Sequence, residues 1–516
     1  MEAGLTLLRA AAIGLDGGQH DPNPVERAGA RAFQVLGRLW EFEAPESDKD
    51  IARASPELRS LLIKLLVAGQ GGCLAQFAAS AVNHLAGSEH PSFCARMIEA
   101  IDPLVELIRD GDPSSVAFDA TMALSRLMQV DTARVAASGA IAPLAALLQQ
   151  PWDDLSPASM AAIALGNLVA GDPTGEVATA NKDLMLSNGI VPTLVTLLQP
   201  SVPTASKTST DEEDVDAPYL RAAEALERIC TEHKAAQRVA AEAGAVPALL
   251  LLLRSAISAT SPQGAPEPGA SGAVKLPPVQ SAATVEAVMG CLEALSGGAG
   301  WSDGGDGCDQ VDVALALMVR EGALPLLLEQ LNGDDTRSRK SALGALVNLA
   351  ILPEVVPALL AGGVLAKALP LAFSPACKLR VVALVNNIHA NTVGSVELAT
   401  LWLKSILDAS EGCAADIFRA FEELLRDCDY TDGRADEGTS LHHAICWAMS
   451  WLSVMSRHDP TKYGPAIKEP QHTRNDALDA FMQTESRKRV RASEEGAVSE
   501  VEVYSGLGSK GGAVRK

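Results

Sequence analysis

The sequence predicts an all-α fold of stacked helical repeats, an α-solenoid, and three observations carry that prediction. A Gly-led phrase recurs along the chain, a second phrase recurs downstream of it, and the composition suits thin helical layers. The first phrase reads Gly139-Ala140-Ile141-Ala142-Pro143-Leu144, then Gly189-Ile190-Val191-Pro192, Gly244-Ala245-Val246-Pro247, Gly322-Ala323-Leu324-Pro325 and the looser Gly362-Gly363-Val364-Leu365. In each copy Gly ends one helix and Pro fits only the first turn of the next, because Pro lacks the N–H an interior turn needs. The second phrase appears as Ala164-Leu165-Gly166-Asn167-Leu168, Ala345-Leu346-Val347-Asn348-Leu349 and Ala383-Leu384-Val385-Asn386. Three helices per unit follow. Composition agrees: 47% of residues are apolar but only 4% aromatic, so the interior is Ala, Leu and Val, as close-packed helices require.

The undisturbed unit is 40 residues, the spacing of Gly322 and Gly362 and of Gly139 from the weaker copy Glu99-Ala100-Ile101-Asp102-Pro103-Leu104. The other intervals are 50, 55 and 78 residues, and their surplus is polar or Pro/Gly-rich, which a solenoid tolerates in loops. In chain order, residues 1–57 read as an N-terminal helical cap, with helical patterning around Leu5–Leu15 and Val25–Phe42. Repeats run over 58–397, with insertions expected to be disordered at Pro200–Pro218, Ser255–Pro278 and Gly297–Gly307. Residues 398–470 resume helical periodicity and close the array, with Trp447 and Trp451 one turn apart. Residues 471–516 form a polar, charged tail.

Net charge is −22, from 64 acidic and 42 basic residues. A phosphate backbone needs a positive face, so nucleic acid is not the expected partner; an acidic surface either attracts basic peptides or simply keeps the protein soluble. The nine cysteines form no Cys-x-x-Cys pair and read as reduced core residues of an intracellular protein. Arg9 within the only apolar N-terminal stretch speaks against a secretory signal or transit peptide, and the longest apolar run, Ala245 to Leu253, is far too short to span a bilayer. The expectation is a cytoplasmic or nuclear protein without membrane insertion.

The unit with a Gly-x-x-Pro-x-Leu second helix and an Ala-Leu-x-Asn-Leu third helix resembles the armadillo repeat over roughly residues 58–455. The resemblance implies a right-handed α-solenoid superhelix whose third helices line a concave groove, where Asn side chains hold the main chain of an extended partner peptide. An amide offers a donor and an acceptor together, so it pairs with a peptide unit whatever its sequence. Each bond contributes about 1 kcal/mol net, so a ladder is needed. Carried through the repeats, the Asn position falls on His84, Arg126, Asn167, Arg228, Ala294, Asn348 and Asn386. In the family's nuclear-import receptors a Trp precedes each such Asn by one turn. Here Ser80, Met122, Ile163, Glu224, Gly290, Gly344 and Val382 stand there, which argues against a cargo-reading import receptor. Two roles stay open for the Asn column: facing a ligand, or serving the fold by capping helix ends or bonding neighbouring helices.

No metal-protease, P-loop or hydrolase-elbow motif is present, so no enzyme, cofactor or small-molecule substrate is expected. His442, His443 and Cys446 lack a completing ligand; Asp303, Asp306 and Asp309 miss calcium-loop spacing; Gly506-x-Gly508-x-x-Gly511 has no helix after it. Arg487, Lys488, Arg489 and Arg491 fit the Lys-Arg-x-Arg form of a nuclear localisation signal, as an alternative to a solvated tail or docking on an acidic surface. The leading expectation is a scaffold or adaptor that binds an extended protein segment. The alternatives are substrate recognition for a ubiquitin ligase acting in trans, and a structural subunit of a larger assembly.

Overall fold

A computed structural model describes residues 55–68, 73–86, 91–110, 116–150, 156–170, 174–199, 217–260, 282–297 and 313–392, with Leu398, Leu401, Trp402 and Ser405 singly. Two compact units are distinguished, Met1–Ser405 and Ile406–Lys516, and every described residue belongs to the first. The expected cap before residue 55, the interiors of the three insertions, the region of Trp447 and Trp451 and the tail lie outside the described residues. All described elements are helices.

They fall into repeats. Unit 1 contributes α1 (Pro56–Ala68) and α2 (Cys73–Leu85), and unit 2 contributes α3 (Pro91–Arg96), α4 (Ile101–Asp110) and α5 (Val116–Met128). Unit 3 is α6 (Thr132–Ala137), α7 (Ile141–Leu147) and α8 (Pro157–Asn167); unit 4 is α9 (Glu176–Ser187), α10 (Ile190–Leu198) and α11 (Ala217–Cys230). Unit 5 is α12 (Lys234–Glu242), α13 (Ala245–Thr260) and α14 (Ala282–Ser296). Unit 6 is α15 (Val313–Arg320), α16 (Ala323–Gln330) and α17 (Thr336–Leu349), and unit 7 is α18 (Val356–Ala361), α19 (Val364–Ala368) and α20 (Lys378–Thr392).

The turn between first and second helices is made as the recurrent phrase requires. Gly139, Gly189, Gly244, Gly322 and Gly363 have φ between 68° and 94°, the left-handed region that a Cβ disfavours. In the last copy the turn falls on Gly363, while Gly362 has φ −75°, one residue later than the 40-residue spacing assigns. The reason is that α19 starts at Val364, and the left-handed residue must directly precede it. Helix starts are capped by sequence-local oxygens. Asp131 accepts from Arg134 N at 2.8 Å, Ser156 from Ser159 N at 3.2 Å and Asp335 from Ser338 N at 2.7 Å. Bonds from Ser338 hold the Asp335 carboxyl below its usual value.

Third helices pack on one another in chain order, α2 on α5, then α8, α11, α14, α17 and α20; α2 to α17 are each also covered by their own unit's second helix, and α20 by the 3-10 segment Leu369–Phe373 that follows α19. Small residues allow the close approach: Ala120 and Ala123 of α5, Ala161 and Ala164 of α8, and Ala222 and Ala225 of α11 are buried between larger Leu124, Leu165 and Leu226. Burial of each Leu contributes about 1.5–3 kcal/mol relative to exposure. Two helices overrun their expected limits. α11 begins at Ala217 and α13 continues to Thr260, because Ala256 extends the buried stripe of Leu249, Leu252 and Leu253 beyond Ser255.

Candidate partner-binding face

The column read from the second phrase is placed as expected on successive third helices: His84 on α2, Arg126 on α5, Asn167 on α8, Arg228 on α11, Ala294 on α14, Asn348 on α17 and Asn386 on α20. The side chain of Asn386 lies outside the described ones. What the other members touch differs along the array.

In units 3 and 4 the column is bonded across helices. Asn167 Nδ2 donates to Ser125 Oγ of α5 at 2.8 Å, and Arg228 Nη1 of α11 donates to Asn167 Oδ1 at 2.7 Å. Both ends of the Asn167 amide are therefore in use. In unit 6 Asn348 Nδ2 donates to Ser296 Oγ of α14 at 2.9 Å, but its Oδ1 accepts nothing among the described residues. Arg126, partly buried on α5, makes no side-chain hydrogen bond or ion pair among the described residues. At the start of the array, Gln76 Nε2 of α2 donates to Asp119 Oδ2 at 3.2 Å; burial raises the Asp119 carboxyl, and Gln76, His84 and Ser80 partly offset it.

A second set of residues was not singled out by sequence. Along α11 to α20, carboxylates lie against helical glycines of the following unit. A Cβ on Gly290 would stand 2.6 Å from the Glu227 carboxylate, and one on Gly344 would collide with that of Glu293. Glycine thus admits each acid onto the neighbouring backbone. Glu293 is closed by Arg380 of α20, whose Nε lies 3.0 Å from Oε1, so this ion pair reaches over α17 from unit 5 to unit 7. Glu286 pairs with Arg337, and Glu224 with Arg221 at 3.0 Å. The Glu227 carboxylate makes no hydrogen bond or ion pair among the described residues. Burial first, and then the negative charge of Glu293, push its carboxyl up to about 7, against the opposing charges of Arg228 and Arg337. The signal available in sequence was Gly290 and Gly344 standing where a bulky residue was sought.

Other polar groups on first helices bond the carbonyl ends of third helices, Asn181 and Gln237 those of the preceding unit and Lys182 that of its own unit. Asn181 Nδ2 donates to Leu168 O at 3.0 Å, Gln237 Nε2 to Cys230 O at 2.9 Å and the fully buried Lys182 Nζ to Thr231 O at 2.6 Å. Burial lowers the Lys182 ammonium from its usual value. Cys94, Cys230, Cys291 and Cys377 are buried and form no disulfide, as core cysteines were expected to be; burial pushes the Cys230 thiol up to about 12. Among the described residues no group of three His, Cys, Asp or Glu is placed to hold a metal, and no single helix is long and apolar enough to cross a membrane. His442, His443, Cys446, Asp303, Asp306, Asp309, the Gly506–Gly511 run and the basic cluster Arg487, Lys488, Arg489 and Arg491 lie outside the described residues.

A one-dimensional stack of three-helix units with a continuous row of third helices defines an α-solenoid repeat protein. Residues 315–351, spanning α15 to α17, match the family model described as Armadillo/beta-catenin-like repeat, so this stretch of the stack is similar to an armadillo repeat. An engineered protein solved by the Northeast Structural Genomics Consortium is similar over 86% of this chain and 99% of its own, at 19% identity and a TM-score of 0.56, a likeness of fold. A designed armadillo repeat protein in complex with the peptide (KR)4 is 16% identical over 59% of this chain and 99% of that one, with a TM-score of 0.39. No curated protein matches the chain.

Proposed function

We propose that the protein is a non-enzymatic scaffold or adaptor that binds a protein partner, as an extended segment, along the face made by its third helices. The observation that supports this most is that the face keeps polar groups open while their neighbours are bonded. The Arg126 guanidinium, the Glu227 carboxylate and Asn348 Oδ1 are without partners among the described residues, whereas Asn167, Arg228, Glu286 and Glu293 are closed by helix-to-helix bonds. Open donors and acceptors on a partly buried face are what a peptide backbone and its side chains can satisfy. Asn167 contributes to this reading only by exchanging its present bonds, and Asn348 contributes an acceptor.

Placing a photo-crosslinking amino acid at Met122 or Ile163, both partly exposed on third helices, and at the exposed Leu184 of the first helix α9 tests the reading in the full chain. Partner crosslinks from Met122 and Ile163 with none from Leu184 support it; the reverse pattern overturns it. That reverse pattern is what a structural subunit would give, a reading favoured by Val177 and Leu184, exposed apolar residues two turns apart on α9. Recognition for a ubiquitin ligase in trans would use the same face and add a ligase among the crosslinked species. Import through Arg487, Lys488, Arg489 and Arg491 is tested separately. A fluorescent fusion should lose nuclear enrichment when Lys488, Arg489 and Arg491 become Ala, and unchanged distribution would remove the signal from consideration.

A further inference from the structure

The open groups on the third-helix face carry opposite charges at different places. Arg126 stands on α5, Glu227 on α11, and α8 between them has no ionisable residue. Only Ile163 and Asn167 of α8 are partly exposed, and Asn167 is occupied by Ser125 and Arg228. The middle of this stretch therefore offers the Ile163 side chain, with partly exposed Met122 at the equivalent position of α5. Other arginines nearby are matched: Arg228 by Asn167, Arg337 by Glu286 and Arg380 by Glu293. Gly290 keeps the Glu227 carboxylate pressed against α14, beside the negative Glu293, so a cation arriving there meets two acids of which only one is neutralised.

We infer that the face is polarised and selects a segment with a Glu or Asp at Arg126, an apolar side chain over Ile163 and a Lys or Arg at Glu227. The inference rests on the proposed groove binding and specifies its ligand. Its spacing follows from packing. Two helix-to-helix steps of about 8–10 Å separate α5 from α11, so the charges are roughly 16–20 Å apart. An extended chain rises about 3.3 Å per residue, which places the acidic and basic residues about five or six positions apart. A pair of charges held at fixed separation also sets the direction in which the segment lies, which single open groups would not do.

The experiment selects a phage-displayed library of random 12-residue peptides on the full chain. Bound peptides should be enriched in an acidic and a basic residue five or six positions apart with an apolar residue between. Arg126→Glu should weaken such a peptide about tenfold or more, and replacing the peptide's acid by Lys should restore it. Glu227→Lys should behave correspondingly with the peptide's cation changed to Glu, and Glu227→Gln serves where the reversal harms folding, which circular dichroism reports. Binders that compete for the Met122 and Ile163 crosslinks but lack the charge pair would overturn the polarity and leave groove binding standing. No retained binder at all would overturn both.

Discussion

The third-helix faces of units 1 to 3 and of units 4 to 7 are built on the same packing and finished with different chemistry. α2, α5 and α8 carry between them only His84, Asp119 and Arg126 as charged or titrating groups apart from cysteine, and the link to the next helix is the neutral amide of Asn167. α11, α14, α17 and α20 carry Arg221, Glu224, Glu227, Arg228, Glu286, Glu293, Arg337 and Arg380, interlocked over glycines. The difference shows that the repeat constrains the buried stripe of each helix and leaves its open stripe to vary. Core and face are separable layers of the same sequence.

If that separation is real, removing core volume should cost the same in both regions. Leu165 of α8 and Leu292 of α14 are both fully buried, and Leu→Ala at either should destabilise by about 2–5 kcal/mol in urea denaturation. A large loss at one site with little at the other would mean that the two regions do not share one kind of core. A repeat array can unfold in parts, so the measurement needs a local probe in each region.

The next largest effect belongs to the charged region. Glu227 faces Glu293 of α14, Arg337 of α17, and Glu224 and Arg228 of its own helix, and its carboxyl stands at about 7 against an ordinary 4.5. A folded-state value raised in this way means that the native protein holds a proton the unfolded chain has released. Stability is fully present below about pH 4.5, falls as pH rises toward 7 and is flat above. After discount for the part of the carboxylate that still meets water, the loss is roughly 1–2 kcal/mol. Glu227→Gln should flatten the profile between those limits and leave the variant more stable than the parent at pH 8. An unchanged slope would show that Glu227 is ionised in the fold, which would remove what is special about this region.

How much of this was legible follows the same division. The solenoid was readable because Gly189, Gly244 and Gly322 each need a left-handed backbone and because Pro192, Pro247 and Pro325 fit only a first turn, local demands that leave a mark at fixed spacing. The column from His84 to Asn348 was placed on the right helices for the same reason. The Glu293–Arg380 pair was not readable, since its members are separated by two units and meet only because Gly344 lets them pass. Nor was the occupation of the Asn167 amide, which depends on Ser125 and Arg228 reaching it from either side. A side chain's type is local information, whereas its partner belongs to the fold.

The smallest expected effect sharpens the comparison most, because it sets the same residue type in the two regions. Asn167→Ala removes two bonds and leaves the nearly buried Ser125 hydroxyl and one Arg228 donor unpaired, so it should cost about 1–2 kcal/mol of stability. Asn348→Ala removes one bond to Ser296, whose hydroxyl still donates to Glu293 O at 2.7 Å, so its cost should stay under about 1 kcal/mol. Affinity for a groove-bound peptide should respond in the opposite order, since the free oxygen of Asn348 is available to a ligand and the amide of Asn167 is already taken. Denaturation and peptide titration on the two variants measure both quantities. Equal stability losses would dissolve the distinction between the regions, and a binding loss confined to Asn167→Ala would mean that the partner displaces Ser125 and Arg228 to reach that amide.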